Sequence, residues 1–183
     1  DTLYGGGKLL DPNGDYDLRG DFFDAFDEVG TRVHDPASPH RWVPCVSCMH
    51  PAFFELRASL PQRRLGIYHH KGFPLGVNDP LTCEVMDNSG DEILPKLQFL
   101  ARHEVIVTNT YHGVYWATLL CRKVICLPIK SGLFSFRHPP AYSTGLVDKA
   151  LIDSAPLYSD ALEECRRANI DYHQYLRGKY GEL

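Results

Sequence analysis

The sequence predicts an α/β fold: a Rossmann-like parallel sheet flanked by helices, with a small, incomplete N-terminal unit. Three observations lead there. Glu104 to Pro128 reads as strand, turn, helix and strand in direct succession, with β-branched runs at Val105–Val107 and Val124–Ile125 and an apolar helix from Tyr111 to Cys121 between them. From Arg64 onward the order is strand, strand, helix, strand, helix, strand, loop, helix, an alternation that buries a parallel sheet between helices. Finally, 183 residues with 44% hydrophobic content suffice for the core of one domain, or of one domain with part of another.

Taken in order, Leu3 and Tyr4 run into Gly5-Gly6-Gly7, a strand end entering a glycine turn where missing side chains let a backbone or ligand come close. Lys8 to Arg19 is polar and turn-rich, Asp21 to Glu28 suits a short amphipathic helix, and Val29 to Arg32 a brief strand. Asp35 to His40 carries two prolines and predicts a loop. It divides residues 1–40, a partial N-terminal unit and linker, from residues 41–183, the Rossmann-like domain. Because the chain opens on Asp1 and not Met, the N-terminal unit is expected to be truncated.

Trp42 to Val46 reads as extended and Pro51 to Leu56 as a helical turn, with strands at Arg64 to His70 and Leu81 to Met86. Ser89 and Glu92 match a capping box and predict a helix from Gly90 to His103, whose residues Ile93, Leu94, Leu97 and Leu100 recur at helical spacing as a core stripe. Lys130 to Pro140 is a loop punctuated by glycine and proline. Ser159 to Tyr180 is a terminal helix expected to pack across the domain through Leu162, Cys165, Ile170, Tyr172, Tyr175 and Leu176.

A net charge of −4 argues against a general nucleic-acid binder, which needs a basic face to displace counterions from phosphates. No apolar run of about 18 residues is present to span a bilayer, and nothing resembles a signal peptide, so a cytoplasmic location is expected. Six cysteines are too few for a disulfide scaffold and are expected to be reduced, with Cys121 and Cys126 serving as small buried hydrophobes. Cys45 and Cys48 form the one CxxC, with His50 nearby. Lacking a second pair at zinc spacing, it predicts no metal site, and no cofactor is expected.

The chemistry points to the turn that opens the Tyr111 helix. At the carboxyl end of a parallel strand, helix N–H groups and the positive end of the helix dipole attract phosphate or carboxylate. His112 can hydrogen-bond a ligand phosphate or protonate a leaving oxygen, against the alternative of a capping or core histidine. Gly113 would let a ligand approach the backbone, while Asn109 and Thr110 either cap the helix or bind the ligand. His69, His70 and Lys71 end a neighbouring strand and would share that crevice, or form a solvated strand end. Ser131, Phe134 and Arg137 lie in the loop after Ile129. Arg32 and His34 suit a surface or an interdomain cleft, Tyr115 and Trp116 suit packing, and Asn88 faces the crevice or shapes its turn. No carboxylate stands out as a base.

The segments GGG (5–7), VGTRVHD (29–35), LGIYHHKGFP (65–74) and above all VTNTYHGVYWATLLCRKVICLP (107–128) resemble the polysaccharide pyruvyl transferase family. More broadly they are similar to the C-terminal domain of two-domain GT-B glycosyltransferases. In that family a segment of the form (R/S)-(L/F/Y)-H-G opens a helix beside the donor, and here it stands as Thr110-Tyr111-His112-Gly113. The resemblance implies a transferase of polysaccharide biosynthesis that moves a pyruvyl group from phosphoenolpyruvate onto a saccharide acceptor. Many members carry arginine where this chain has Thr110, so Arg137 and Lys130 are the nearest cations to take its place on the donor. A nucleotide-activated sugar, held through its phosphates at the same helix end, is the alternative donor. A non-catalytic domain that binds a glycan or scaffolds a larger synthase is the alternative of a different class, with a zinc-binding interaction module as a third. A partner domain or a homodimer would then supply the groups that handle the acceptor.

Overall fold

The computed structural model describes residues 2–3, 26–75, 83–129, 135–145 and 147–181. The expected features at Gly5–Gly7, Lys8–Arg19, Asp21–Ala25, Lys130, Ser131 and Phe134 fall outside them. Two compact units are formed, residues 1–47 together with 163–183, and residues 48–162.

In the first unit, strands β1 (Thr2–Leu3), β2 (Glu28–Thr31) and β3 (Arg41–Trp42) form a parallel sheet in that order. Glu28 opens a strand, so the helix expected to run through it does not reach that residue. Helix α5 (Ala161–Tyr180) returns the distal end of the chain to this unit, where Tyr172 and Leu176 pack with Val43. A Cβ on Gly30 would lie 3.0 Å from Val43 Cγ2 and 3.3 Å from the Tyr172 ring, so the strand stays flat against that core. Asn169 donates to the Pro44 carbonyl at 3.1 Å. Charge closes the edge: Glu28 accepts from the Tyr175 hydroxyl and from Lys179, and the Arg41 guanidinium sits 3.9 Å above the Tyr175 ring.

The second unit holds β4 (Arg63–His69), β5 (Glu84–Asp87), β6 (His103–Thr108), β7 (Lys123–Cys126) and β8 (Ala141–Tyr142), with helices α1 (Ala52–Ala58), α2 (Leu94–Ala101), α3 (Tyr111–Leu119) and α4 (Lys149–Ser154). Its sheet is parallel throughout, in the order β5-β4-β6-β7-β8, which agrees with the Rossmann-like architecture expected. Both faces are covered. Val105, Val107 and Ile125 cluster with Leu151 and Ile152 of α4. On the other face Tyr68 meets Phe99 of α2, and α3 lies against β6 and β7. Burial on both sides explains why β6 reads as an unbroken apolar run.

Three differences from the sequence reading have physical causes. The capping box is not used: Gly90 takes φ 74°, which no helix accommodates, and α2 starts at Leu94 behind an Ile93 N-cap that makes no side-chain bond. Ser89 bonds Asp87 instead, and Leu94, expected in the core stripe, is 44% exposed while Phe99 is buried. The units divide after Ser47, not within 35–40, and residues from Glu163 on group with the N-terminal unit because Tyr172 and Leu176 find their apolar partner in Val43. In α5, Ile170 stays 40% exposed, off the apolar face it was expected to join.

The ends of three helices of the second unit converge on Arg122, a buried guanidinium with no carboxylate partner among the described residues. It donates to Ala101 O (3.1 Å), Cys121 O (3.4 Å), Leu56 O (3.4 Å) and Ser59 O (2.7 Å), the carbonyls that end α2, α3 and α1. A cation where three helices finish satisfies orphan carbonyls and opposes the negative ends of three dipoles. Burial lowers its pKa below the ordinary guanidinium value.

Candidate functional site

The strand order fixes where the site lies. From β4 the chain moves to β5 on one side and then, through α2, crosses to β6 on the other. The connections leaving the carboxyl ends of β4 and β6 therefore run to opposite sides in the strand order, and the crevice at that edge is the place where parallel α/β sheets receive ligands. It brings His69, His70 and Lys71 of the β4 loop next to Asn109, Thr110, Tyr111, His112 and Gly113 of the β6 loop.

Two asparagines hold the β4 loop. Asn109 accepts from the His70 N–H at 2.8 Å and donates to the Phe73 carbonyl at 2.7 Å, while Asn88, following β5, accepts from the Lys71 N–H at 2.8 Å. Asn88 N–H also donates to the His69 carbonyl at 3.0 Å. The turn at 70–73 is thus bracketed from the strands on either side of β4. Asn109 is 3% exposed, and its amide is committed to this bracket.

Thr110 is the N-cap of α3: its extended backbone (φ −113°, ψ 147°) lets Oγ1 accept from Gly113 N–H at 2.9 Å. Thr108 Oγ1 accepts from Thr110 N–H at 3.1 Å and contacts Thr110 Oγ1 at 3.1 Å. Gly113 is buried beneath these hydroxyls. A Cβ there would lie 2.2 Å from Thr108 Oγ1, 2.6 Å from Thr110 Oγ1 and 2.8 Å from the Tyr68 ring, so its missing side chain serves helix packing, not ligand approach.

His112 is half-buried, with its ring stacked on Trp116 (centroids 4.6 Å apart) and edge-on to Tyr111 at 5.3 Å. Tyr111 in turn stacks on Phe136 at 5.1 Å and on Tyr115 at 5.8 Å. The helix start therefore carries an aromatic shelf, with Tyr115 and Trp116 buried as expected of packing residues. Phe136 is its contribution from the loop before β8, which sequence reading did not single out. Arg137, next to it, is exposed.

Across the crevice, His69 and Asp87 are register partners on β4 and β5. Asp87 accepts from Ser89 N–H at 2.9 Å and from the Ser89 hydroxyl. These bonds hold its carboxyl below the usual carboxylate range, with His69 and Lys71 adding smaller electrostatic contributions. Asp87 is the carboxylate that the sequence did not reveal. The signal was present only as the last residue of a four-residue strand.

Arg32 lies at the end of β2, outside the second unit, and His34 is edge-on to Trp42 at 5.8 Å. No cysteine forms a disulfide, and among the described residues no group of three His, Cys, Asp or Glu side chains is arranged to hold a metal ion. No described helix is long and apolar enough to cross a membrane. A cavity of about 430 Å³ lies elsewhere, lined by Arg64 and Leu65 near the start of β4 and by Lys149 and Ile152 of α4. It is at the opposite end of β4 from His69, so the crevice is assigned on topology and donor chemistry rather than on volume. Comparison with protein families, with curated proteins and with solved structures finds no match to this chain.

Proposed function

We propose that this chain is a transferase of polysaccharide biosynthesis that moves a pyruvyl group from phosphoenolpyruvate onto a saccharide, its five-stranded unit acting as the donor-binding domain of a GT-B-like enzyme. The observation that carries this reading is that the strand order sets the β4 loop, with His69, His70 and Lys71, beside the turn that opens α3, with His112, at one switch-point crevice. Phosphoenolpyruvate presents a phosphate and a carboxylate, and the crevice supplies imidazole hydrogen-bond donors from His70 and His112, one ammonium and the positive end of a helix dipole. Arg137, next to Phe136, is the loop cation that would add a bidentate grip.

A nucleotide-activated sugar is the second reading, favoured by the shelf of Tyr111 and Phe136, whose rings offer a face for a base or a sugar. Thermal unfolding separates the two, since a ligand held only by the native state raises the melting temperature in proportion to RT ln(1 + [L]/Kd). Phosphoenolpyruvate is expected to raise it in a way that His112→Ala abolishes. A shift with uridine or guanosine diphosphate and none with phosphoenolpyruvate selects the nucleotide sugar. If neither class of donor shifts it, the domain is a non-catalytic one.

A further inference from the structure

The turn after β4 fixes the protons on two neighbouring imidazoles. His69 Nδ1 lies 3.1 Å from the His70 carbonyl, which has no hydrogen to give, so that nitrogen carries the proton and Nε2 keeps a bare lone pair. His70 Nδ1 instead accepts from the Gly72 N–H at 3.0 Å, so its proton resides on Nε2. Because His70 N–H and Phe73 O are both tied to Asn109, and Lys71 N–H to Asn88, the turn that imposes these tautomers is itself pinned from both sides. The remaining nitrogens of the adjacent histidines are thereby complementary, His69 Nε2 an acceptor and His70 Nε2–H a donor.

The geometry points to His69 Nε2 as the base that takes the proton from the acceptor hydroxyl, with Asp87 beside it on β5 and His70 Nε2–H as a neutral donor to the anionic donor substrate. This assignment rests on the transferase reading above. It supplies the residue that reading lacked, and among the described residues Lys71, Asp87 and His70 are the titratable neighbours it has along β4 and β5. His70 cannot act as the acid. Losing the Nε2 proton would leave an imidazolate, and gaining one on Nδ1 would set two donors against each other at Gly72.

Pyruvyl transfer needs two hydroxyl oxygens added to one carbon, and His69 can serve both halves. In the first, a hydroxyl gives its proton to His69 Nε2 and its oxygen bonds to the central carbon of phosphoenolpyruvate. The alkene electron pair then takes that proton at the methylene carbon, which becomes a methyl group. In the second, the neighbouring hydroxyl gives its proton to His69 and its oxygen bonds to the same carbon. The bond from that carbon to the phosphate oxygen breaks, and phosphate leaves with the electron pair and the proton. Each turn restores neutral His69, and Asp87 stabilises the imidazolium formed between the steps.

The test has two arms. Two-bond proton–nitrogen correlation spectra of the nitrogen-15-labelled chain, above the imidazole titration range, are expected to show His69 protonated on Nδ1 and His70 on Nε2. His69 protonated on Nε2 overturns the assignment whatever the activity. In the second arm, phosphate release from phosphoenolpyruvate is followed with a panel of p-nitrophenyl hexopyranosides. His69→Ala and Asp87→Asn are expected to lower kcat by 10²-fold or more and about 10-fold respectively, with the phosphoenolpyruvate-induced melting shift retained. Wild-type turnover with His69→Ala within about threefold of it overturns the base while leaving the transferase standing. Absence of wild-type turnover and of any melting shift removes the transferase reading, and the base with it.

Discussion

Gly113 shows how a residue that reads as a ligand contact can be a packing requirement. The hydroxyls of Thr108 and Thr110 occupy the space a side chain would need, and both are engaged in capping α3, so neither can rotate away without losing a bond. Gly113→Ala is therefore expected to cost about 1–3 kcal/mol, read as a lower urea midpoint at unchanged slope. His103 gives a second residue-scale expectation. Its side chain is fully buried, Nδ1–H donates to Phe99 O at 2.8 Å, and burial lowers its pKa below the ordinary 6.5. Glu84, 3.5 Å from Nε2, pulls the other way, but it is partly exposed and shared with Arg63 and Arg102, so burial prevails. With the folded-state pKa depressed, the unfolded chain takes up the proton first as pH falls. The stabilisation is complete above about pH 6.5 and is lost as pH drops through the folded-state value. Urea titrations from about pH 7 to about pH 5 should show falling stability, with a shallower fall in His103→Asn.

At the scale of elements, Arg122 ties α1, α2 and α3 together through carbonyls alone. Arg122→Ala strands several buried carbonyls at once and is expected to cost on the order of 3 kcal/mol, with Arg122→Lys recovering little because an ammonium cannot span the same fork. Thermal melting of the three proteins checks this. The residue was invisible in the sequence, since an arginine between a helix and a strand reads as a solvated linker. By contrast, β6 and β7 were legible because burial on both faces leaves each a β-branched apolar run, and α3 because it is buried on nearly all sides. The start of α2 was misread where Ser89 and Glu92 carried a local signal that the left-handed Gly90 overrides. Strand β8 and helix α4 were missed because two and six residues are too short to display a period. The imidazoles of the candidate site were placed at strand ends from sequence. Their tautomers and the neighbouring Asp87 depend on strand pairing that no local pattern encodes.

For the whole molecule, the governing fact is that one unit is assembled from both ends of the chain. Strands β2 and β3 acquire their core from Tyr172 and Leu176, and their edge charge from Tyr175 and Lys179, all more than 100 residues away. The larger unit draws its sheet and its crevice from the continuous stretch 48–162. Contacts so distant in sequence are entropically costly to close and contribute nothing once their partner helix is gone. A chain ending at Leu162 is expected to lose amide protection at Val29, Gly30 and Thr31 while Ile67, Val105, Ile106 and Ile125 keep theirs, as read by hydrogen exchange with mass spectrometry. Uniform loss across both sets would mean that the five-stranded sheet depends on the terminal helix as well. Retained protection at β2 would mean that Val43 finds its apolar cover without Tyr172 and Leu176, against the packing described for that core.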